Sequence, residues 1–405
     1  MLANQDRIAR VTEREGLGAI LACAPENICY VTGYSPFQAP WNRALRVAVS
    51  TGNRVGRTHV VLPLAEVGFA VDDGLDVRCE VFVYGPPNLV LDPHVELAPD
   101  EERIARIARE RRFDDALSAV RAALAGSGVD PRERVAVDTG TSASVVEALN
   151  ASLSSWTFTG GGDALLREIR MVKTADEVGR IRRAADLNER GVEVACSRLG
   201  ADTDHEIGEA HRMTVVAQGG IVQHWQGSSA RRAGAYRQPG STRARSGDRW
   251  VFDAGIVLDG YSADTGGTCQ VGEQPTAAER QTWAALAAGI DALVGDARPG
   301  IAVSELYRRG LAAIQANGAP HYRYSLLGHG IGLEPRDLPI IGPPAPAPWL
   351  PADQRFDPEL EPNMVLNFET PIIELGVGGF QYEVTVRVTE GAAELLSPRR
   401  EYVVV

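Results

Sequence analysis

Short apolar runs and amphipathic stretches alternate along the first 160 or so residues. GAILA (18–22), ICYVTG (28–33), ALRVAVS (44–50), HVVLPL (59–64), VRCEVFVY (77–84) and RVAVD (134–138) have the length and β-branched content of strands. The stretch 101–125, rich in Glu, Arg and Ala, has a helical pattern. Strands interleaved with helices predict an α/β layer domain. SSWTFTGGGDALL (154–166), with three consecutive glycines at 160–162, predicts a flexible boundary. A helix follows it, because Thr174 and Glu177 form a capping box and Val178, Ile181, Ala185 and Val192 recur at helical spacing. Thr276 and Glu279 repeat the box and open a helix over 277–296, with Trp283, Leu286, Ile290 and Leu293 on one face. Pro339, Pro343, Pro344, Pro346, Pro348 and Pro351 make 338–362 an ordered surface loop and a candidate lid.

The strand pattern is broken where charge intrudes. In WVFDAGIVLDGYSADTGGT (250–268), Asp259-Gly260 is a strong hairpin-turn signal. A turn there sets Asp253 opposite Gly266, with Asp264 two positions away on the same face. Two carboxylates beside Val251 and Phe252 repel each other unless a cation lies between them. MVLNFETPII (364–373) places Glu369 in an apolar strand, and GGFQYEVTVRVT (378–389) places Glu383 in another. A glutamate there is costly unless it is paired or bound to metal. His329, in LLGHGIGLEPRDLP (326–339), is flanked by Gly328, Gly330 and Gly332, which let backbone approach a ligand. A lone histidine is more often a hydrogen-bonded core residue. Together the five residues offer four carboxylates and one imidazole. Four negative charges match two divalent cations, and the oxygen-rich donor set suits Mn, Co, Fe or Zn.

Composition narrows the partners. The net charge of −12 argues against nucleic acid and anionic membranes, which need a basic surface. The five cysteines, Cys23, Cys29, Cys79, Cys196 and Cys269, are scattered, so neither a disulfide framework nor a cysteine-ligated zinc is expected. MLANQDRIAR lacks the apolar core of a signal peptide, and no run of about 18 apolar residues occurs. A cytoplasmic location is expected. With 405 residues and cores that stop growing near ~250–300, two domains are expected.

These segments resemble those of the pita-bread metallopeptidases, the family of creatinase, prolidase and aminopeptidase P. REGLGAILACAPENICYVTGY (14–34) is similar to the creatinase-type N-terminal domain, and LREIRMVKTADEVGRIRRAA (166–185) to the opening of the catalytic domain. DAGIVLDGYSADTGGT, GHGIGLEP, NMVLNFET and FQYEVTVRVT match the family's metal-binding segments, with the same order of ligands and the two aspartates eleven positions apart. The resemblance implies an α+β chain, with a creatinase-like α/β domain over 1–160 and a pita-bread catalytic domain over 167–405. It makes Asp253, Asp264, His329, Glu369 and Glu383 the ligands of a dinuclear site with a bridging hydroxide, and Glu369 the acceptor of its proton. It implies a homodimer in which one N-terminal domain approaches the partner's site, which draws attention to Trp41 and Arg43 in SPFQAPWNR.

The sequence also departs from that family. Its peptidases carry a histidine seven residues after the metal-binding one, where this chain has Arg336, followed by Asp337 in place of a glutamate. A histidine expected seventeen residues before the first aspartate is Tyr236 here, and Gln381 and Val384 replace the family's Arg and Asp around the last glutamate. Arginine stays protonated and cannot shuttle a proton, but it binds carboxylates bidentately. A loop salt bridge between Arg336 and Asp337 is the competing reading. Tyr236 can donate to an oxyanion but is a poor base at neutral pH. His224, in IVQHWQG, is the nearest upstream histidine and a candidate replacement, whereas His205 and His211 are expected on helix surfaces. Arg231, Arg232, Arg237, Arg243, Arg245 and Arg249 make an anionic substrate plausible, although most are expected to be solvated. Three functions compete: an Xaa-Pro-type metallohydrolase cleaving a C–N bond in a short peptide or peptide-like amide, a creatinase-like hydrolase or lyase of a small anionic metabolite, and a non-catalytic binding module. The five intact ligand positions argue against the third.

Overall fold

The computed structural model describes residues 2–52, 57–92, 94–138, 143–345 and 354–405. The chain divides into two compact units, Met1–Arg170 and Met171–Val405.

The first unit is built on strands β1 (Leu17–Ala22), β2 (Val47–Ser50), β3 (Thr58–Pro63), β4 (Cys79–Tyr84), β5 (Arg112–Phe113), β6 (Arg134–Val137) and β7 (Thr157–Thr159). They form one mixed sheet in the order β5-β4-β3-β2-β1-β6-β7. Leu21, Val49, Val61, Val120, Leu124 and Val137 fill a core between sheet and helices. Two expectations fail here, the strand at ICYVTG and the flexible glycine segment, while the helical stretch 101–125 is borne out with one interruption. ICYVTG is not a strand but the body of a helix, Pro25–Thr32. Pro25 opens that helix, Gly33 ends it in the left-handed region, and buried Asp138 accepts from Cys23 N, Ala24 N and Asn27 Nδ2 at its start. A short apolar run cannot by itself distinguish a buried helix from a strand. The stretch 101–125 is two helices, Pro99–Glu110 and Ala116–Gly126, because β5 pairs with Val83 and Tyr84 between them and Asp115 caps the second. The glycine-rich segment is packed, since it carries β7 and a helix from Gly162, whose added Cβ would lie 2.6 Å from the Val137 carbonyl carbon. Trp41 is 65% exposed and meets Phe37 edge-on at 5.2 Å.

The second unit holds β8 (Ile221–Ser229), β9 (Arg249–Leu258), β10 (Tyr261–Gln270), β11 (Gly328–Gly330), β12 (Asp337–Ile340), β13 (Val365–Glu369), β14 (Ile372–Glu374), β15 (Gly378–Phe380), β16 (Glu383–Arg387), β17 (Glu394–Leu395) and β18 (Val403–Val404). Two sheets matter most, β18-β10-β9-β8 and β12-β11-β13-β16-β17. All pairings within them are antiparallel except β10 with β18. Helices Ala175–Cys196 and Ala277–Asp296 begin on the expected capping boxes. The first packs on the β8–β10 sheet through residues such as Val192 and Leu187, next to Phe252 and Ile256. The second sets Trp283, Leu286, Ile290 and Leu293 against Leu366, Phe368 and Val384 of the other sheet. Each such side chain contributes about 1.5–3 kcal/mol by leaving water. The proline-rich stretch is not wholly a surface loop. It begins as edge strand β12, which contains Pro339, and Leu360 is buried and pairs with Gly300 and Ile301. Pro346, Pro348 and Pro351, and with them the centre of the candidate lid, lie outside the described residues.

Candidate metal centre

The β9–β10 hairpin turns at Asp259 and Gly260, both with positive φ, as a two-residue turn requires. Its register sets Asp253 opposite Gly266 and Asp264 opposite Gly255. The other sheet supplies three residues. His329 sits on β11 opposite Asn367, and Glu369 and Glu383 face each other as cross-strand partners on β13 and β16. The sheets meet along β10 and β16, where Gln381 N donates to Thr268 Oγ1 at 2.8 Å and Thr385 Oγ1 donates to the Asp264 carbonyl at 3.4 Å. Gly266 makes that meeting possible, because a Cβ there would stand 2.9 Å from Glu383 Oε1 and 2.5 Å from Gln381 Cγ.

All five predicted ligands are therefore brought together. His329 Nε2 lies 3.7 Å from Asp264 Oδ2 and 3.9 Å from Glu369 Oε1. Its Nδ1 lies 2.9 Å from the Gly330 carbonyl, which leaves Nε2 free of the proton and facing the carboxylates when Nδ1 carries it. Asn367 Nδ2 donates to Glu383 Oε2 at 3.1 Å, and Gln381 Nε2 donates to Glu383 Oε1. The supporting residues Asn367 and Thr385 were missed in the sequence. Period-two spacing could have found them, since Asn367 shares a strand face with Glu369, and Thr385 with Glu383.

The residues around the ligands are placed as follows. His224, on β8, reaches Asp253 Oδ1 at 2.8 Å and Asp264 Oδ1 at 3.3 Å through Nε2. Arg336 NH2 stands 3.8 Å from Glu369 Oε1 with its side chain 61% exposed, while Asp337 is buried 3.5 Å from Lys173 Nζ. Tyr236 is exposed and its hydroxyl lies 3.0 Å from that of Tyr324, a residue the sequence reading did not single out. Tyr236, Asp253, Ser228, Ile372, Phe380 and Gln381 help to line a small cavity of about 40 Å³. His211 is not a surface residue. It is fully buried, lies 2.9 Å from Asn188 Oδ1 through Nε2 and stacks on Trp225 with ring centres 4.5 Å apart. His205 is exposed, and Arg231, Arg237, Arg243 and Arg245 are solvated, whereas Arg249 is half-buried over Phe380 at 4.3 Å.

The electrostatics show what the carboxylates lack. Burial, followed by the charges of Asp264, Asp253 and Glu369, holds the Glu383 carboxyl well above its ordinary range. Burial raises Glu369 to about 7 against the opposing pull of Arg336, and burial with the charge of Asp264 raises Asp253. Burial also opposes ionisation of Asp264, but His224 and His329 hold it below its ordinary value. Burial disfavours the His224 cation as well, yet the two aspartates raise it to about 10. Burial lowers His329. Among the described residues, buried Asp264 Oδ1 and Glu369 Oε1 have no hydrogen-bond partner. Such oxygens are costly unless a cation meets them. The donor set, four carboxylates with imidazole, fits divalent metal. Among the described residues, no helix is long and apolar enough to cross a membrane.

Known proteins share this fold and part of this sequence. Over 244 residues the chain is 26% identical to an uncharacterized peptidase of Staphylococcus aureus, a match spanning 59% of this chain and 66% of that protein. Among solved structures, the dipeptidase PepE of Mycobacterium ulcerans superposes with a TM-score of 0.74 at 22% identity, covering 99% of this chain and 96% of that one. The Xaa-Pro dipeptidase of Bacillus anthracis superposes with a TM-score of 0.74 at 18% identity, covering 99% of both chains. These likenesses establish the α+β pita-bread architecture. The profile of metallopeptidase family M24 matches residues 179–390, a span that holds every candidate ligand, and the chain belongs to that family.

Proposed function

We propose that this protein is a metal-dependent hydrolase of the Xaa-Pro peptidase type, cleaving a C–N bond in a short peptide or peptide-like amide. The observation that carries the reading is the convergence of Asp253, Asp264, His329, Glu369 and Glu383 around two buried carboxylate oxygens without hydrogen-bond partners. Those five residues would hold two divalent ions, with Mn, Co, Fe and Zn as candidates. Bound there, the ions would supply Lewis acidity and a nucleophile at neutral pH. The chain's own residues would do the rest. Glu369 would take up the proton released from the attacking water at Oε1, the buried oxygen that faces Arg336 and His329. Tyr236, which lines the cavity and pairs with Tyr324, would donate its hydroxyl to the developing oxyanion. Ile372 and Phe380 would shelter a small apolar group from water. The structural neighbours, a dipeptidase and an Xaa-Pro dipeptidase among them, support this substrate class. Assaying the protein with Xaa-Pro dipeptides, before and after adding each metal, tests it: metal-dependent cleavage is expected, and inertness with every metal contradicts it.

One observation favours a second reading. Arg336, a permanent cation, stands 3.8 Å from Glu369 where the family's peptidases have a histidine. That supports a non-peptidase relative acting on a small anionic metabolite, as a creatinase-like C–N hydrolase or a lyase. The family likeness also supports a homodimer, and a monomer by light scattering at micromolar concentration contradicts it.

A further inference from the structure

We propose that His224 is a sixth protein ligand of the metal centre, binding through Nε2 the same cation that Asp253 and Asp264 hold. This rests on the metal-centre reading above. Three strands build the arrangement in one row. Gly255 on β9 is the cross-strand partner of His224 on β8 and of Asp264 on β10. The imidazole lies across Gly255, where an added Cβ would stand 2.1 Å from His224 Cε1 and 2.4 Å from Nδ1. Any side chain at 255 would therefore evict the ring. A register shift between Val222 and His224 aims the ring toward the aspartates, a common use of a bulge beside a functional site.

The donor atoms are already gathered. Nε2 is 2.8 Å from Asp253 Oδ1 and 3.3 Å from Asp264 Oδ1, and one donor atom from each of the three residues lies within 4.8 Å of the others. Asp264 Oδ1, buried and without a hydrogen-bond partner, faces the same point. A cation there would replace the proton on Nε2 and satisfy Asp264 Oδ1 at once. With His329 the centre then has two imidazoles among four carboxylates. Added nitrogen shifts preference toward zinc and cobalt and away from manganese and magnesium.

The test uses the full-length, zinc-loaded protein. X-ray absorption at the zinc edge counts imidazoles, and competitive titration with zinc and manganese measures affinity. Expected are two imidazoles per pair of zinc ions in the wild type and one in His224→Ala. In His224→Ala the weaker of the two zinc affinities should fall tenfold or more, with a smaller loss for manganese. His224→Gln keeps a hydrogen-bond donor near Asp253, so a merely structural role would restore zinc affinity and a ligand role would not. One imidazole per zinc pair in the wild type, or unchanged zinc affinity in His224→Ala, overturns the sixth ligand and leaves the five-ligand centre standing. No bound zinc in the wild type overturns both. The wild-type count decides even if the variants fold poorly.

Discussion

The floor of the candidate metal centre and its rim are made differently. The floor is five residues on paired strands, mostly buried, with Asn367 and Gln381 donating to the Glu383 carboxylate and Thr385 donating to Asn367. The rim is Arg336 and Tyr236, both largely exposed. Strand-borne groups locked by neighbours hold a metal geometry, while exposed groups can change without disturbing it. In sequence the floor resembles a peptidase family, and the rim departs from that resemblance. Chemistry is assigned to the first and substrate choice to the second.

The largest effects should come from breaking the floor. Asp264→Ala and Glu383→Ala should each lose at least one ion per chain by elemental analysis. Turnover should fall by roughly a hundredfold or more, since even supporting residues around such sites cost about 10–100-fold. Full metal content in both variants would contradict the ligand assignment.

The rim should respond less and differently. Arg336→Ala should weaken substrate binding about tenfold to a hundredfold, the worth of a carboxylate–guanidinium contact shielded from water. Arg336→Lys should recover part of it, lacking the planar fork. Arg336→His separates the two readings. If the enzyme is a peptidase with an altered rim, Xaa-Pro cleavage should rise. If it acts on an anionic metabolite, peptides should stay untouched and the native reaction should suffer. Wild-type activity in all three variants would make Arg336 a bystander, and metal content should be unchanged in each.

The smallest effect lies beneath the floor. Burial holds His211 at about 4, below its ordinary 6.5. The unfolded chain therefore binds a proton that the folded chain refuses as pH falls below about 6.5, and stability drops through that window toward pH 4. About 2 kcal/mol should be lost between pH 7 and 5 from this group. Urea unfolding of His211→Gln should show a lower stability at pH 7 but a flatter fall to pH 5. Parallel pH slopes in the two proteins would contradict the assignment.

What the sequence revealed follows from what is local. Asp253, Asp264, Glu369 and Glu383 stood out because carboxylates in apolar strands are anomalous, and Asp259-Gly260 specified the hairpin register. The helices starting at Ala175 and Ala277 were readable from Thr174–Glu177 and Thr276–Glu279. The helix at Pro25–Thr32 was not, because Asp138, more than 100 residues away, fixes the chain entering it through Cys23 N and Ala24 N and holds the Asn27 side chain. His211 looked solvent-facing because its partners, Asn188 and Trp225, come from another helix and a strand. The bearing of His224 on both aspartates depends on a bulge and on Gly255, and neither is visible in spacing alone.

The central claim is that the floor binds metal as a pair of ions. Elemental analysis of the purified protein, with activity measured before and after adding Mn, Co, Fe or Zn, tests it most directly. The account predicts two divalent ions per chain and metal-dependent activity. No bound ion, together with no activity on adding any of the four, would contradict it.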